Sequence, residues 1–133
     1  MQEYISRNID KELIAWKDDS MRKPLLLRGA RQVGKSSAVR HFGREFKYFA
    51  EVNFERHKAI KTFFQGDIDV HMIAQKISNY IKVPMVAGET LLFFDEIQEC
   101  PEAIMALRFF KEDYPELHVI AAGSLLEFTL EEI

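Results

Sequence analysis

The spacing of apolar positions changes several times along the chain. Ile5, Ile9, Leu13 and Trp16 recur at helical intervals, which predicts an amphipathic helix over residues 3–18. In "RKPLLLRG", Pro24 opens an unbroken Leu25, Leu26, Leu27 run, the pattern of a strand covered on both faces. Ala38, Val39, Phe42 and Phe46 return to a helical stripe. "KYFAEVNFE" alternates in part and is rich in aromatic and β-branched residues, so it reads as a second strand. Val70, Ile73, Ile77 and Ile81 mark another helix, ending before Pro84. "ETLLFFDE" is a third strand, apolar until it stops at two acids. Pro101 suits a first helical position, and Ile104, Leu107, Phe110 and Tyr114 carry that helix to Pro115. "LHVIAAGS" supplies a fourth strand.

Strands alternating with helices predict an α/β fold, a parallel sheet sandwiched by helices in three layers. Ligands of such sheets bind beyond the carboxyl ends of the strands. Three polar clusters fall at strand ends: "GARQVGKS", "DEIQ" and "GS". Their convergence on one edge is the main functional signal of the sequence.

"GARQVGKS" fits G-x-x-x-x-G-K-[ST] through Gly29, Gly34, Lys35 and Ser36. Glycines let the backbone wrap a phosphate chain with N–H groups turned inward, where a Cβ would obstruct. The helix that begins near Gly34 adds the positive end of its dipole. Lys35 can reach the β- and γ-phosphates, and the Ser36 hydroxyl can take a magnesium position. The cradle as a whole is Gly29, Ala30, Arg31, Gln32, Val33, Gly34, Lys35, Ser36 and Ser37. Arg31 and Gln32 have no individual role that the pattern defines. The preceding apolar strand and the following amphipathic helix separate this match from a chance glycine turn.

In "LLFFDEIQ", Asp95 at the end of a covered strand can hold magnesium, usually through water. Glu96 can orient or deprotonate an attacking water. Ser124, in "AAGS", can hydrogen-bond the γ-phosphate or the water; by itself a "GS" after a strand is an ordinary turn. Gln98 is a polar loop residue with no assigned role.

Composition narrows the picture further. The chain has 133 residues, 47% apolar and 29% charged, the balance of one soluble globular domain. No apolar run approaches the roughly 20 residues of a membrane span. "MQEYISRNIDKEL" has acids and no apolar core, unlike a secretory signal. A single cysteine, Cys100, rules out an internal disulfide framework and suits a cytoplasmic location. The net charge of −3 divides into +5 over residues 1–50 and −8 over the rest. Solvated helix faces account for the basic half as well as nucleic acid would, and no motif supports nucleic-acid binding. His41, His57, His71 and His118 lack metal-ligand spacing. No [NT]-K-x-D loop and no D-x-x-G follow the second-strand region, which ranks a GTPase low. Glu96 beside Asp95 fits an activated water better than the bound acceptor of a small-molecule kinase.

With these motifs in this order, the chain resembles the AAA+-type P-loop ATPases. It is most similar to the predicted bacterial and archaeal ATPase group related to the archaeal ATPase and STAND NTPases. The resemblance rests on "YISR" at 4–7, "LLLRGARQVGKS" at 25–36, "VNFE" at 52–55, "LLFFDEIQECP" at 91–101 and "AAGSLLEF" at 121–128. It implies ATP and Mg2+, with Lys35 and Ser36 as the Walker A pair, Asp95 and Glu96 as the Walker B pair, and Ser124 at the sensor-1 position. Many relatives have threonine where this chain has Ser36, which leaves the magnesium role intact. The family core has a fifth strand followed by a C-terminal domain of unknown function. The expectation is therefore one ATPase domain over 1–133, a helix at 1–20 and a P-loop core at 24–133, truncated before the last core strand. Sensor-2 and arginine-finger residues would lie elsewhere; a homo-oligomer is one possible assembly, and the sequence does not define the oligomeric state. Two functions follow: ATP hydrolysis that drives the C-terminal domain, or a nucleotide-dependent switch with negligible turnover.

Overall fold

A strand with no polar position between its two end residues must lie inside a sheet with both faces covered. In the computed structural model, which describes residues 8–28 and 33–123, "TLLFFD" does so. The strands are β1 (Leu25–Arg28), β2 (Tyr48–Asn53), β3 (Thr90–Asp95) and β4 (His118–Gly123). They form one sheet of order β1-β4-β3-β2, parallel at every pairing. The helices are α1 (Asn8–Asp18), α2 (Val33–Phe42), α3 (Val70–Ile81) and α4 (Pro101–Asp113).

The period-2 alternation of β3 and β4 splits the core in two. Leu91, Phe93, Ile120 and Ala122 face Leu13 of α1 and Val39 and Phe42 of α2. Leu92, Phe94, Val119 and Ala121 face the opposite layer, built from Ile73 and Ile77 of α3 and Ile104, Leu107 and Phe110 of α4. The connection after β1 therefore runs over one face to the far edge, and those after β2 and β3 return over the other. Such a reversal opens a crevice at the carboxyl edge of the sheet. The register sets Arg28 beside Gly123 and Asn53 beside Asp95 on that edge.

Local chemistry sets the element ends. Asp69 caps α3 by accepting the Met72 N–H at 3.2 Å. Lys82 ends it in the left-handed region (φ 62°), two residues before Pro84. Pro101 opens α4 where a missing N–H costs no intrahelical bond. The predicted stripe to Phe46 is broken, because α2 stops at Phe42 and Gly43–Glu45 tightens to a 3₁₀ turn. At that turn the chain passes close to the sheet: a Cβ on Gly43 would lie 2.6 Å from Phe49 Cδ1. Two further 3₁₀ segments, Lys58–Phe64 and Ile97–Glu99, were not predicted; they are too short to show a period, yet they bury Ile60, Phe64 and Ile97. Residues 3–7 of the predicted first helix lie outside the described residues. No helix among the described residues is long and apolar enough to cross a membrane.

His118 ties α1 to the sheet. Its Nε2–H donates to the Lys17 carbonyl at 3.0 Å, and its ring packs edge-on against Trp16 and Phe46. Its Nδ1 is buried with no partner among the described residues. Burial lowers the His118 pKa below 6.5, opposed by the Lys17 carbonyl and aided by the nearby Arg22 and Lys17 cations. The folded protein thus resists a proton that the unfolded chain accepts below about pH 6.5. Stability from this group is present above that pH and is lost as pH falls toward the lower folded value. Thermal melts from pH 7 to pH 5 are expected to fall more steeply for the wild type than for His118→Gln, which keeps a donor without a charge. Parallel slopes would contradict this role for His118.

Candidate nucleotide-binding site

The carboxyl edge gathers two of the three predicted clusters as far as they are described. Ser36 lies in the first turn of α2, and its Oγ is 3.1 Å from both Asp95 oxygens. One hydroxyl proton is shared between the two, so the contact is bifurcated. Asp95 Oδ1 also accepts the Glu96 N–H at 2.9 Å, and Oδ2 lies 3.4 Å from Arg40 Nη2. The carboxyl is 5% exposed. Burial pushes its pKa above the usual carboxylate range, while the Ser36 and Glu96 hydrogen bonds and the Arg40 cation act against that shift.

Arg40 is one helical turn beyond Ser36, so both point to the same side of α2. Its Nε and Nη2 form a forked pair with Glu51 of β2, each bond 2.9 Å. That fork fixes the guanidinium beside Asp95. Sequence reasoning gave Arg40 and Glu51 no role. The available signal was Glu51 itself, a charge in the β2 row that otherwise carries Phe49 toward the α2 layer.

Glu96 has φ 54° and ψ 45°, left-handed backbone that costs a side-chain-bearing residue about 1–2 kcal/mol. Strain of this kind persists where surrounding structure imposes it, and it concentrates at functional sites. Here Asp95 holds the Glu96 N–H, and the buried Ile97 anchors the following turn. Gln98 Nε2–H donates to Glu96 Oε1 at 2.7 Å, a second contact that sequence reasoning did not anticipate. Asn53 does not join this cluster: its Oδ1 accepts the Glu55 and Arg56 N–H groups of its own turn.

Of the other predicted residues, Gly29, Ala30, Arg31, Gln32 and Ser124 lie outside the described residues. Val33, Gly34 and Lys35 open α2, with their side chains outside the described set. Ser37 is exposed. Cys100 is buried and its thiol pKa is raised by that burial, which disfavours the reactive thiolate. No group of three or more His, Cys, Asp or Glu suited to a metal occurs among the described residues.

Ser36 and Asp95 offer hydroxyl and carboxylate oxygens, the hard donors that Mg2+ prefers. A parallel sheet with the G-x-x-x-x-G-K-S sequence after β1, a helix beginning at Val33 and an acid ending β3 defines a P-loop-type α/β domain. Residues 21–133 match the model of a family described as an AAA domain. The chain belongs to that family and is a nucleotide-binding domain of ATPase type. No curated protein matches it in sequence. Among solved structures, that of C. elegans PCH-2 is similar in fold, with a TM-score of 0.55 at 15% identity over 96% of this chain. The chain spans 40% of the PCH-2 chain.

Proposed function

We propose that the domain binds ATP with Mg2+ at the carboxyl edge of the sheet and hydrolyses it by attack of water on the γ-phosphate. The observation that carries this reading is the meeting of Ser36 and Asp95 at 3.1 Å across 59 positions of sequence. Ser36 and Asp95 would hold the metal, which when bound neutralises charge developing on the transferred phosphoryl group. The Gly29–Ser37 loop and helix start cradle the phosphates, and Lys35 supplies a cation to their terminal oxygens. Glu96 aligns the attacking water and accepts its proton. Ser124 donates a hydrogen bond at the γ-phosphate. Arg40, held by Glu51, keeps the Asp95 carboxylate in one orientation.

Turnover in the whole protein would drive or gate a further C-terminal domain, with a homo-oligomer as the working assembly. A second reading is a nucleotide-dependent switch with negligible turnover, in which the same site binds Mg-ATP without hydrolysing it. Phosphate release from ATP by the whole protein separates the two. Saturable release that rises with protein concentration supports the hydrolase. Binding without release at any concentration supports the switch.

A further inference from the structure

Gln98 occupies a position that packing alone does not explain. It sits in the 3₁₀ turn Ile97–Glu99, whose backbone is fixed at both ends: Glu99 N–H donates to Glu96 O at 3.1 Å and Cys100 N–H to Ile97 O at 2.9 Å. Ile97 is fully buried in the α3–α4 layer, so the turn cannot slide. From this anchored backbone the Gln98 amide reaches in two directions. Its Nε2–H donates to Glu96 Oε1 at 2.7 Å. Its Oε1 is buried, with no hydrogen-bond partner among the described residues.

The second direction leads to the carboxyl end of β4. A Cβ on Gly123 would lie 2.7 Å from Gln98 Oε1 and 3.2 Å from Ile97 Cγ2. The bare Gly123 backbone therefore makes room for the Gln98 side chain. The hydrogen bond of the Gln98 side chain thus goes to Glu96, while its other end packs on the bare Gly123 backbone. The strained backbone of Glu96, next to it, points the same way.

We propose that Gln98 is the positioning residue for Glu96: its amide holds the Glu96 carboxylate and braces it against the carboxyl end of β4 at Gly123. The role rests on the reading of Glu96 as the residue that aligns the water. Gln98 touches neither nucleotide nor water; it sets the direction of the carboxylate that does. A neutral amide suits the task because it donates to a carboxylate without adding a charge beside Asp95 and Glu96.

The test compares the whole protein with Gln98→Met, which keeps length and shape but loses the donor, with Gly123→Ala, which crowds the same amide from β4, and with the double variant. The measurements are kcat for ATP, the Kd of a fluorescent ATP analogue with Mg2+, and Tm. Misplacement of a catalytic group by about 1 Å can cost on the order of 100-fold in rate. Gln98→Met should therefore lose roughly 10- to 100-fold in kcat, with Kd and Tm close to wild type. Gly123→Ala should show the same split, and the double variant should be no worse than the poorer single. Undiminished kcat in Gln98→Met overturns the assignment while leaving the ATPase reading standing. Losses that multiply in the double variant, or a parallel rise in Kd, also overturn it, because they mark a structural role. No turnover by the wild type despite normal binding overturns the ATPase reading and the Gln98 role with it.

Discussion

Glu96→Gln is expected to bind ATP as the wild type does and to turn it over about 100- to 10,000-fold more slowly, the range a general base contributes. The substitution is chosen for its economy. The replacement keeps the side-chain length, and its amide oxygen can still accept the Gln98 hydrogen bond that Glu96 Oε1 accepts at 2.7 Å. The left-handed backbone at this position is unaffected, since glutamine matches glutamate in size and branching and meets the same steric cost there. What changes is proton affinity: an amide oxygen cannot take a proton from water at neutral pH. Binding should survive, because the proposed phosphate and metal contacts come from the loop, Ser36 and Asp95. The check is phosphate release alongside a nucleotide titration on the same preparation. Undiminished release removes Glu96 from the chemistry.

The second large effect is on stability. Phe94 of β3 is fully buried, with ring centroids 5.5 Å from Phe54, 5.8 Å from Phe64 and 6.1 Å from Phe110 of α4. Truncation of a buried phenylalanine costs about 3–5 kcal/mol, through lost transfer energy and the cavity left behind. Domains of this size have about 5–15 kcal/mol in total, so Phe94→Ala removes a large share. It also loosens the strand directly before Asp95, which couples the core to the site. Urea denaturation should show a lowered midpoint for Phe94→Ala. Met21→Ala, at a side chain 82% exposed, should stay within about 0.5 kcal/mol of wild type. Equal midpoints for the two variants would contradict the burial pattern described for β3.

The sequence made some elements legible and hid others for physical reasons. Runs such as Leu91–Phe94 and Val119–Ala122 call for cover on both faces, and their alternation with helical segments made the parallel architecture legible. The 3.6 period of Val70, Ile73, Ile77 and Ile81 located α3. Residues 58–64 carried no such period, and their burial of Ile60 and Phe64 depends on neighbours far along the chain. The end of α2 at Phe42 was hidden because Phe46 carries the apolar stripe on past it. In the site, Ser36 and Asp95 were legible because each sits at the end of an apolar strand or the start of the following helix. Arg40, Glu51 and Gln98 were not. Each acts through a partner on another element or turn, and polar residues in helices, strands and loops are individually ordinary.

The most direct test of the central claim is equilibrium binding of a fluorescent ATP analogue, with and without Mg2+, to the wild type and to Lys35→Ala, with excess GTP as competitor. The account predicts Mg2+-dependent binding by the wild type that Lys35→Ala loses and that GTP does not displace. A folded wild-type protein that binds no analogue, or a Lys35→Ala variant that binds it equally well, would contradict it.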